Sequence, residues 1–222
     1  MSTFRHSDAL WADFPQLVPG VLHVERPDAR RDLTEYLETA ERRLDGTTET
    51  QLPEIQAWRR AYTQLGLKPT QYRCASEALL RRFRKDHVLP RIHPVIDLCN
   101  AVSMAYAIPV AVLDLARITG DLEVRYATGD EEYQTFGGAL EHPQPGEVIF
   151  ADEAGRAHAR RWTNRQSGLS AVSEATETVL IVAEALHESA AEDVKSLVST
   201  LQTELGQPRA AILDRASPEF TI

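Results

Sequence analysis

The sequence predicts an α+β fold in which helices pack on a mixed β-sheet core. Amphipathic helical patterns fill most of the N-terminal half, whereas short β-branched and aliphatic runs follow Pro109 before a last helical pattern. No repeat, low-complexity tract or Gly/Ser linker divides the 222 residues. We therefore expect one domain over residues 1–222, with a core at about 52–206 and an extension at each end.

The N-terminal half predicts one short strand and four helices. Apolar residues recur at helical spacing in each helix, and Gly46 and Pro94 stand where a helix would stop and start. In the last helix, Asp97, Asn100 and Ser103 interrupt the apolar pattern at three-residue intervals, which places them along one stripe. The predicted segments are the strand Gly20–Val24 and the helices Arg30–Asp45, Leu52–Leu65, Ala75–Lys85 and Pro94–Tyr106.

The runs after Pro109 predict strands, because each is rich in β-branched and aliphatic residues and is bounded by turn residues. They are IPVAVLDL, GDLEVRYATG, PGEVIFADEAG and RAHARRWT. The run TETVLIVAEAL fits either a buried strand or an apolar helix, since periodicity alone does not separate the two. A helix over Ser189–Leu205, stopped by Gly206, and a strand over Arg209–Leu213 complete the predicted order.

The composition argues against several classes of protein. The net charge of −9 disfavours non-specific binding to polyanions, so any nucleic-acid contact must be local. Two cysteines, Cys74 and Cys99, are too few for a disulfide framework or a zinc cage. The N-terminus lacks the apolar stretch of a signal peptide, and acidic residues inside the apolar segment Pro94–Ala116 argue against a membrane span. We expect a cytoplasmic protein with no membrane partner.

An ordered series of motifs runs from Pro94 to Thr178. A V-D-x-x-N helix is followed by a proline-led strand ending in Asp, a Gly turn, an Arg-containing strand and a G-x-E turn. A hydrophobic strand ending in Asp152, a polar turn and a Thr-led strand come next. In this order the series resembles the B3/B4 editing domain of bacterial phenylalanyl-tRNA synthetase, and the part upstream, from Trp58, looks like stand-alone relatives of that domain. The matching residues are Asp97, Asn100, Ser103, Pro109, Asp114, Gly120, Arg125, Ala127, Gly129 and Glu131.

The resemblance implies hydrolysis of a wrong amino acid from the 3′ end of a tRNA, within a mixed three-layer fold. An aminoacyl ester is already activated, so a pocket that positions water and stabilises the developing oxyanion needs no triad, metal or cofactor. In the synthetase pattern, a His follows the strand proline by two residues and a Glu ends the Thr-led strand. Here those places hold Ala111 and Val182. The loss of both polar groups predicts an amino acid that is smaller or less polar than tyrosine.

The candidate pocket combines the Asn100 helix, the Pro109 strand and the turn Arg160–Ser167. We predict that Asn100 and His158 are catalytic, with His158 acting as a general base. Asn100, like Asp97 and Ser103, would position water or bind the amino group. The alternative for Asn100 and His158 is a structural role, because buried polar groups usually hydrogen-bond to their surroundings. The predicted contacts to the amino acid are Asp97, Ser103, Ala111, Asp114, Gln166 and Ser167.

Three arginines of the same turn, Arg160, Arg161 and Arg165, are the predicted tRNA contacts, since guanidinium groups bind phosphate. A solvated strand edge is the alternative for this stretch. Glu131 and Glu147 lie just after glycines, where each can pair with an arginine. Two functions stay open: a trans-acting deacylase of mischarged tRNA, and a non-catalytic module that binds aminoacyl-tRNA, an amino acid or a small ligand.

Neither a metal nor another cofactor is expected. His93 and Cys99 are ligand types, but no third or fourth ligand stands near them at a recognised spacing. The expected partner is the aminoacylated 3′ end of tRNA, which the resemblance implies.

Overall fold

A computed structural model describes residues 2–29 and 32–222 of the chain. Within these ranges, no helix is both long enough and apolar enough to cross a membrane. The helices are α1 Asp8–Asp13, α2 Thr34–Leu44, α3 Pro53–Gln64, α4 Ala75–Asp86, α5 Pro94–Tyr106 and α6 Ala190–Glu204. The strands are β1 Thr3–His6, β2 Val18–Glu25, β3 Val110–Asp114, β4 Leu122–Tyr126, β5 Tyr133–Gln134, β6 Leu140–Glu141, β7 Val148–Asp152, β8 Ala157–Arg160, β9 Arg165–Gln166, β10 Thr178–Ala185, β11 Arg209–Ile212 and β12 Glu219–Thr221.

Two sheets and a short ribbon contain these strands. The larger sheet has the order β12-β1-β4-β7-β8-β9. It is mixed, because β1 runs parallel to β4 whereas every other pair of neighbouring strands in this sheet is antiparallel. The smaller sheet has the antiparallel order β11-β2-β10-β3. The ribbon pairs β5 with β6. Both sheets therefore combine strands from distant parts of the chain.

The smaller sheet lies between two hydrophobic cores, because its strands alternate apolar side chains between both faces. On one face, Leu180 and Val182 join a core shared with the larger sheet and with α1, α3 and α4. On the other face, Val179 and Ile181 pack with α5 and α6. The layers are thus sheet, sheet and helices. The predicted α+β class, with helices on a mixed β-sheet core, is confirmed.

Helix α5 has the bounds that its sequence predicts. Pro94 occupies its first turn, where the missing N–H costs nothing, and the ring of His93 accepts a hydrogen bond from the Val95 N–H before it. The helix ends because Ala107 adopts a left-handed conformation, with φ of 55°. Local chemistry is sufficient to set both ends.

Other boundaries were predicted less completely. The run TETVLIVAEAL is a strand rather than a helix, since β10 pairs along its length with β2 and with β3. The helix predicted from Arg30 begins at Thr34 in the described part of the chain, and its predicted start, Arg30, lies outside the described residues. No pattern predicted β1, α1 or β12. These elements are short, and β1 and β12 are strands because they pair with each other and β1 with β4.

Candidate functional site

Two of the predicted contact residues on α5 are engaged in local hydrogen bonds. The carboxylate of Asp97 accepts the Ile92 N–H at 2.9 Å and lies 3.7 Å from Arg91. The buried hydroxyl of Ser103 donates to the Ile108 carbonyl at 2.6 Å, across the end of the helix. Both side chains therefore satisfy backbone groups beside their own helix.

Asn100 lines a pocket of its own, which we call the helix pocket. The pocket has a volume of about 110 Å³ and mostly apolar walls from α2, α5 and the segment after α4. Asp97 also lines it, but no predicted residue from the Pro109 strand or from the Arg160–Ser167 turn does so. The structure thus separates Asn100 from the other two parts of the predicted site.

Asp114 and Ser167 hold turns together. Asp114 is buried, its Oδ1 accepts the Ala116 N–H at 3.0 Å, and its Oδ2 accepts the Thr176 hydroxyl at 2.9 Å. The hydroxyl of Ser167 donates to the Gln134 carbonyl at 2.8 Å and accepts the Leu169 N–H at 3.1 Å. Each of these hydrogen bonds fixes a chain reversal beside a strand end, and neither residue lines the pocket described next.

A second pocket opens between the two sheets, and we call it the inter-sheet pocket. Its volume is about 60 Å³. The side chain of Gln166 spans the gap between the sheets at this pocket, since its Nε2 donates to the Val112 carbonyl at 2.7 Å. Among the lining residues, Val110, Ala111, Phe150, Ala159, Trp162 and Val182 are apolar or aromatic, and Thr163, Asn164, Arg165, Gln166 and Glu184 are polar.

Ala111 and Val182 face each other in this pocket. They are partners across β3 and β10, and both line the cavity. The sequence had singled them out as the places where the synthetase pattern holds a His and a Glu. The structure brings these two positions together with Arg165 and Gln166, which come from the predicted turn.

The three arginines of the turn have different surroundings. Arg160 is 4% exposed, and its guanidinium donates to Glu147 at 2.9 and 3.0 Å and to Glu141 at 2.7 Å. Its hydrogen bonds to Glu147 raise the pKa of Arg160 despite burial. Arg161 lies over the Tyr72 ring, with its guanidinium carbon 4.6 Å from the ring centroid. Because the Arg160 guanidinium is buried and paired with two carboxylates, it is not available to a phosphate.

Arg165 is the most exposed of the three. Its side chain is 45% exposed, lies 3.5 Å from Glu141 and lines the inter-sheet pocket. It therefore combines access to solvent with a place at the cavity. Of the three predicted tRNA contacts, its position best suits a phosphate or an ester oxygen.

His158 lies on the far side of β8 from the inter-sheet pocket. Its neighbour Ala159 lines the pocket, and successive side chains on a strand point to opposite faces. The imidazole is fully buried, with Nε2 3.3 Å from Asp152 Oδ2. Burial raises the pKa of Asp152, but the imidazole and the N–H groups of Arg156 and Thr119 outweigh it and lower the pKa. The surroundings of His158 are those of a buried structural pair.

Both glutamates that were predicted to pair with an arginine do so. Glu147 binds Arg160 as described, and burial, which raises its pKa, is outweighed by the hydrogen bonds that lower it. Glu131 binds Arg125 at 2.5 Å and accepts the N–H groups of Thr128 and Gly129. Both interactions stabilise turns next to strands of the larger sheet.

Glu184 is a pocket residue that the sequence did not single out. It lies on β10, two residues beyond Val182 on the same face, and is 1% exposed. Its Oε1 accepts the Trp162 indole N–H at 2.8 Å and lies 2.7 Å from His6 Nε2. A signal was present, since Glu184 is the one acidic residue inside the apolar run of β10.

One further group of ligand-type side chains lies away from both pockets. Within the described residues, Glu54, His187 and Asp193 bring a nitrogen or an oxygen atom each to within 4.8 Å of one another. The guanidinium of Arg43 pairs with Glu54, and His187 Nε2 lies 2.8 Å from Asp193. A protein cation therefore already neutralises part of this cluster.

Comparison with known proteins identifies the family. The model of the B3/4 domain matches residues 57–204, which is more than half of the chain. The chain belongs to the B3/4 domain family. The predicted resemblance to this domain is thereby confirmed. The B3/4 match includes Ala111, Trp162, Val182 and Glu184, whereas His6 precedes it.

Two phenylalanyl-tRNA synthetase chains are similar to this B3/4 protein. It is 31% identical over 91 residues to the phenylalanine–tRNA ligase beta subunit of Shewanella oneidensis, a match that covers 40% of this chain and 11% of that subunit. A solved N-terminal fragment of the phenylalanyl-tRNA synthetase beta-subunit from Pyrococcus horikoshii aligns with a TM-score of 0.49 and 10% identity, covering 93% of this chain and 49% of the fragment. The chain spans only part of either relative.

Proposed function

We propose that this B3/4 protein is an aminoacyl-tRNA deacylase, which acts in trans on a mischarged tRNA and holds the amino acid in the inter-sheet pocket. The observation behind the proposal is that Ala111 and Val182 line one cavity together with polar side chains. These two residues stand where the synthetase pattern holds a His and a Glu. Family membership and the ligase relative support a tRNA-related role.

The proposed reaction is hydrolysis of an ester by water. Water adds to the ester carbonyl carbon, the bond to the terminal ribose oxygen breaks, and the products are a free amino acid and a tRNA with its hydroxyl restored. Among the described residues that line the pocket there is no Cys, Ser or His to act as nucleophile or base. Catalysis would therefore rest on positioning the ester and water and on stabilising the developing oxyanion with donors such as Arg165 and Asn164.

The dimensions of the pocket favour a small amino acid. A volume of about 60 Å³ compares with about 150 Å³ for an apolar protein cavity that binds benzene, so a large aromatic side chain does not fit without rearrangement. Ala111 and Val182 offer no hydrogen bond to a phenol hydroxyl, and a site discriminates strongly for a hydroxyl only when it provides a partner for it. We propose that the substrate carries a side chain smaller than tyrosine.

A panel of mischarged tRNAs tests both parts of the proposal. The pure protein is incubated with tRNAs carrying glycine, alanine, serine, valine, phenylalanine or tyrosine, and loss of the ester is measured against the spontaneous rate. Loss that is fastest for a small amino acid is the expected result. If the phenylalanine tRNA mischarged with tyrosine were the best substrate, the proposed substrate class would be refuted.

A binding module is the second candidate, and the apolar lining of the pocket favours it. With no Cys, Ser or His among the described residues that line the cavity, the fold can hold an aminoacyl ester without cleaving it. Protection of the ester from spontaneous hydrolysis, with no accelerated loss in any member of the panel, would establish this function instead of the first.

A further inference from the structure

A buried carboxylate at the inter-sheet pocket has an incomplete set of partners. Glu184 is 1% exposed and lines the cavity, and its two hydrogen-bond contacts, with His6 and with Trp162, both involve Oε1. Within the described residues, no hydrogen bond reaches Oε2. A buried carboxylate is costly unless all of its lone pairs and its charge are compensated. One oxygen of Glu184 is therefore left for a group that comes from outside the chain.

The two partners of Glu184 hold one side of its carboxylate in place. The indole N–H of Trp162 is a neutral donor. His6 is 2% exposed, and its Nδ1 has no hydrogen-bond partner. Its contact with Glu184, like that of Trp162, is made at Oε1, so both partners leave Oε2 without a hydrogen bond.

One other charged residue lines the pocket in the part of the chain that the structure describes. Among the described lining residues, Arg165 is the one cation, and it pairs with Glu141 and is 45% exposed. The walls around Glu184 include the apolar side chains of Phe150 and Val182. A small ligand with a positive charge that can donate a hydrogen bond fits this environment, because it would complete both the charge and the hydrogen bonds of the carboxylate.

We propose that Glu184 Oε2 binds the ammonium group of the amino acid, with His6 and Trp162 acting as positioning residues. This inference rests on the proposed function, because it places the aminoacyl group in the inter-sheet pocket, and it deepens that function by naming what the pocket recognises. His6 precedes the residues matched by the B3/4 model, so part of this recognition comes from the N-terminal segment. The pocket would accept small α-amino compounds and reject those whose amino group is blocked or replaced.

Three stable amides test the recognition in the intact protein. L-alaninamide carries the ammonium group, N-acetyl-L-alaninamide has it blocked, and L-lactamide replaces it with a hydroxyl. Each is titrated into ¹⁵N-labelled protein while the indole N–H resonance of Trp162, assigned with Trp162→Phe, is followed. The expected result is saturable binding of L-alaninamide that is at least tenfold tighter than binding of the other two. Equal affinities, or no binding of L-alaninamide, would overturn the proposal.

A variant localises the effect to the carboxylate. Glu184→Gln keeps the size of the side chain and removes its charge, so the preference for L-alaninamide over L-lactamide should fall at least tenfold. Glu177→Gln removes an exposed carboxylate just before β10 and should leave the preference unchanged. If Glu184→Gln retains the preference, the proposal is wrong. Should that variant fail to fold, the comparison of the three amides in the unaltered protein decides alone.

The outcomes separate this inference from the proposed function. Ammonium-dependent binding with no deacylation in the tRNA panel would retain Glu184 as the recognition group and refute the hydrolase. Deacylation of a small aminoacyl ester by a protein that does not distinguish the three amides would support the hydrolase and refute Glu184 as the recognition group.

Discussion

At the scale of single residues, this chain buries several charged groups, and their partners decide what each one does. Arg160 is neutralised by two glutamates, and Glu131 by Arg125 and two backbone N–H groups. These groups stabilise the fold. Glu184 differs because both of its hydrogen-bond contacts involve the same oxygen, while its side chain lines a cavity. The difference between a structural charge and a recognition site is therefore the number of unmet hydrogen bonds.

Glu131→Gln should lower the stability of the protein in a pH-dependent way. Burial raises the pKa of Glu131, but the N–H groups of Thr128 and Gly129 and the Arg125 guanidinium lower it, from 4.5 to about 2. A depressed pKa adds stability above pH 4.5 that is lost as the pH falls towards 2. At pH 7 we expect a loss of about 2–3 kcal/mol in the free energy of unfolding.

Urea unfolding at pH 7 and at pH 3.5 measures this effect. The difference in the free energy of unfolding between the unaltered protein and Glu131→Gln should be smaller at the lower pH. Glu132→Gln, which removes an exposed neighbouring carboxylate, should change the free energy of unfolding little at either pH. An equal difference at pH 7 and pH 3.5 would contradict the role of the lowered pKa of Glu131.

Arg165→Ala and Asn100→Ala distinguish the two pockets. Arg165 lines the inter-sheet pocket and Asn100 lines the helix pocket. Loss of a charged donor to the substrate costs about 1.5–3 kcal/mol, so Arg165→Ala should lower kcat/KM for deacylation by about tenfold or more. Asn100→Ala should leave it within about twofold.

Arg117→Ala serves as the control, because it removes an exposed arginine beyond the end of β3. The measurement is the deacylation rate on the best substrate of the tRNA panel. A large loss in Asn100→Ala together with full activity in Arg165→Ala would move the site to the helix pocket.

At the scale of elements, α6 packs closely against β2. The close approach depends on Gly20, because a Cβ atom at this position would lie 2.5 Å from Val198 Cγ2 and 2.7 Å from Val194 Cγ1. Both distances are shorter than real carbon contacts allow. The helix therefore fits the smaller sheet only where β2 has no side chain.

Gly20→Ala should destabilise the protein by about 1–3 kcal/mol, as overpacking of a core usually does. Adding Val198→Ala to this variant should recover part of the loss, although Val198→Ala alone is destabilising because it leaves a cavity. The free energies of unfolding of the two single variants and the double variant give the coupling between the positions. Additive effects would show that the helix shifts freely and that the contact is not tight.

At the scale of the whole molecule, segments outside the B3/4 match complete both sheets. β2 is an inner strand of the smaller sheet and pairs with β10 and with β11. β1 is an inner strand of the larger sheet, between β12 and β4. Both strands precede residue 57, where the match begins. The family core therefore depends on chain segments that lie outside it.

A fragment of residues 57–204 should not fold cooperatively, because it lacks both inner strands and leaves their neighbours unpaired. A fragment of residues 1–206 loses only β11 and β12, which are edge strands, and should retain a cooperative transition at reduced stability. Near-ultraviolet circular dichroism and urea unfolding compare the two. A sharp two-state transition of the 57–204 fragment would refute this dependence.

The sequence by itself determined the features that local chemistry sets. The bounds of α5 follow from Pro94 and the residues around it, and the ordered motifs were enough to indicate the family. Tertiary structure alone decided which side chains share a pocket. His6 meets Glu184 across 178 residues, and strand register turns His158 away from the cavity that Ala159 lines. The reason is physical: periodicity and capping act within a few residues, whereas strand pairing and the choice of face depend on the whole sheet.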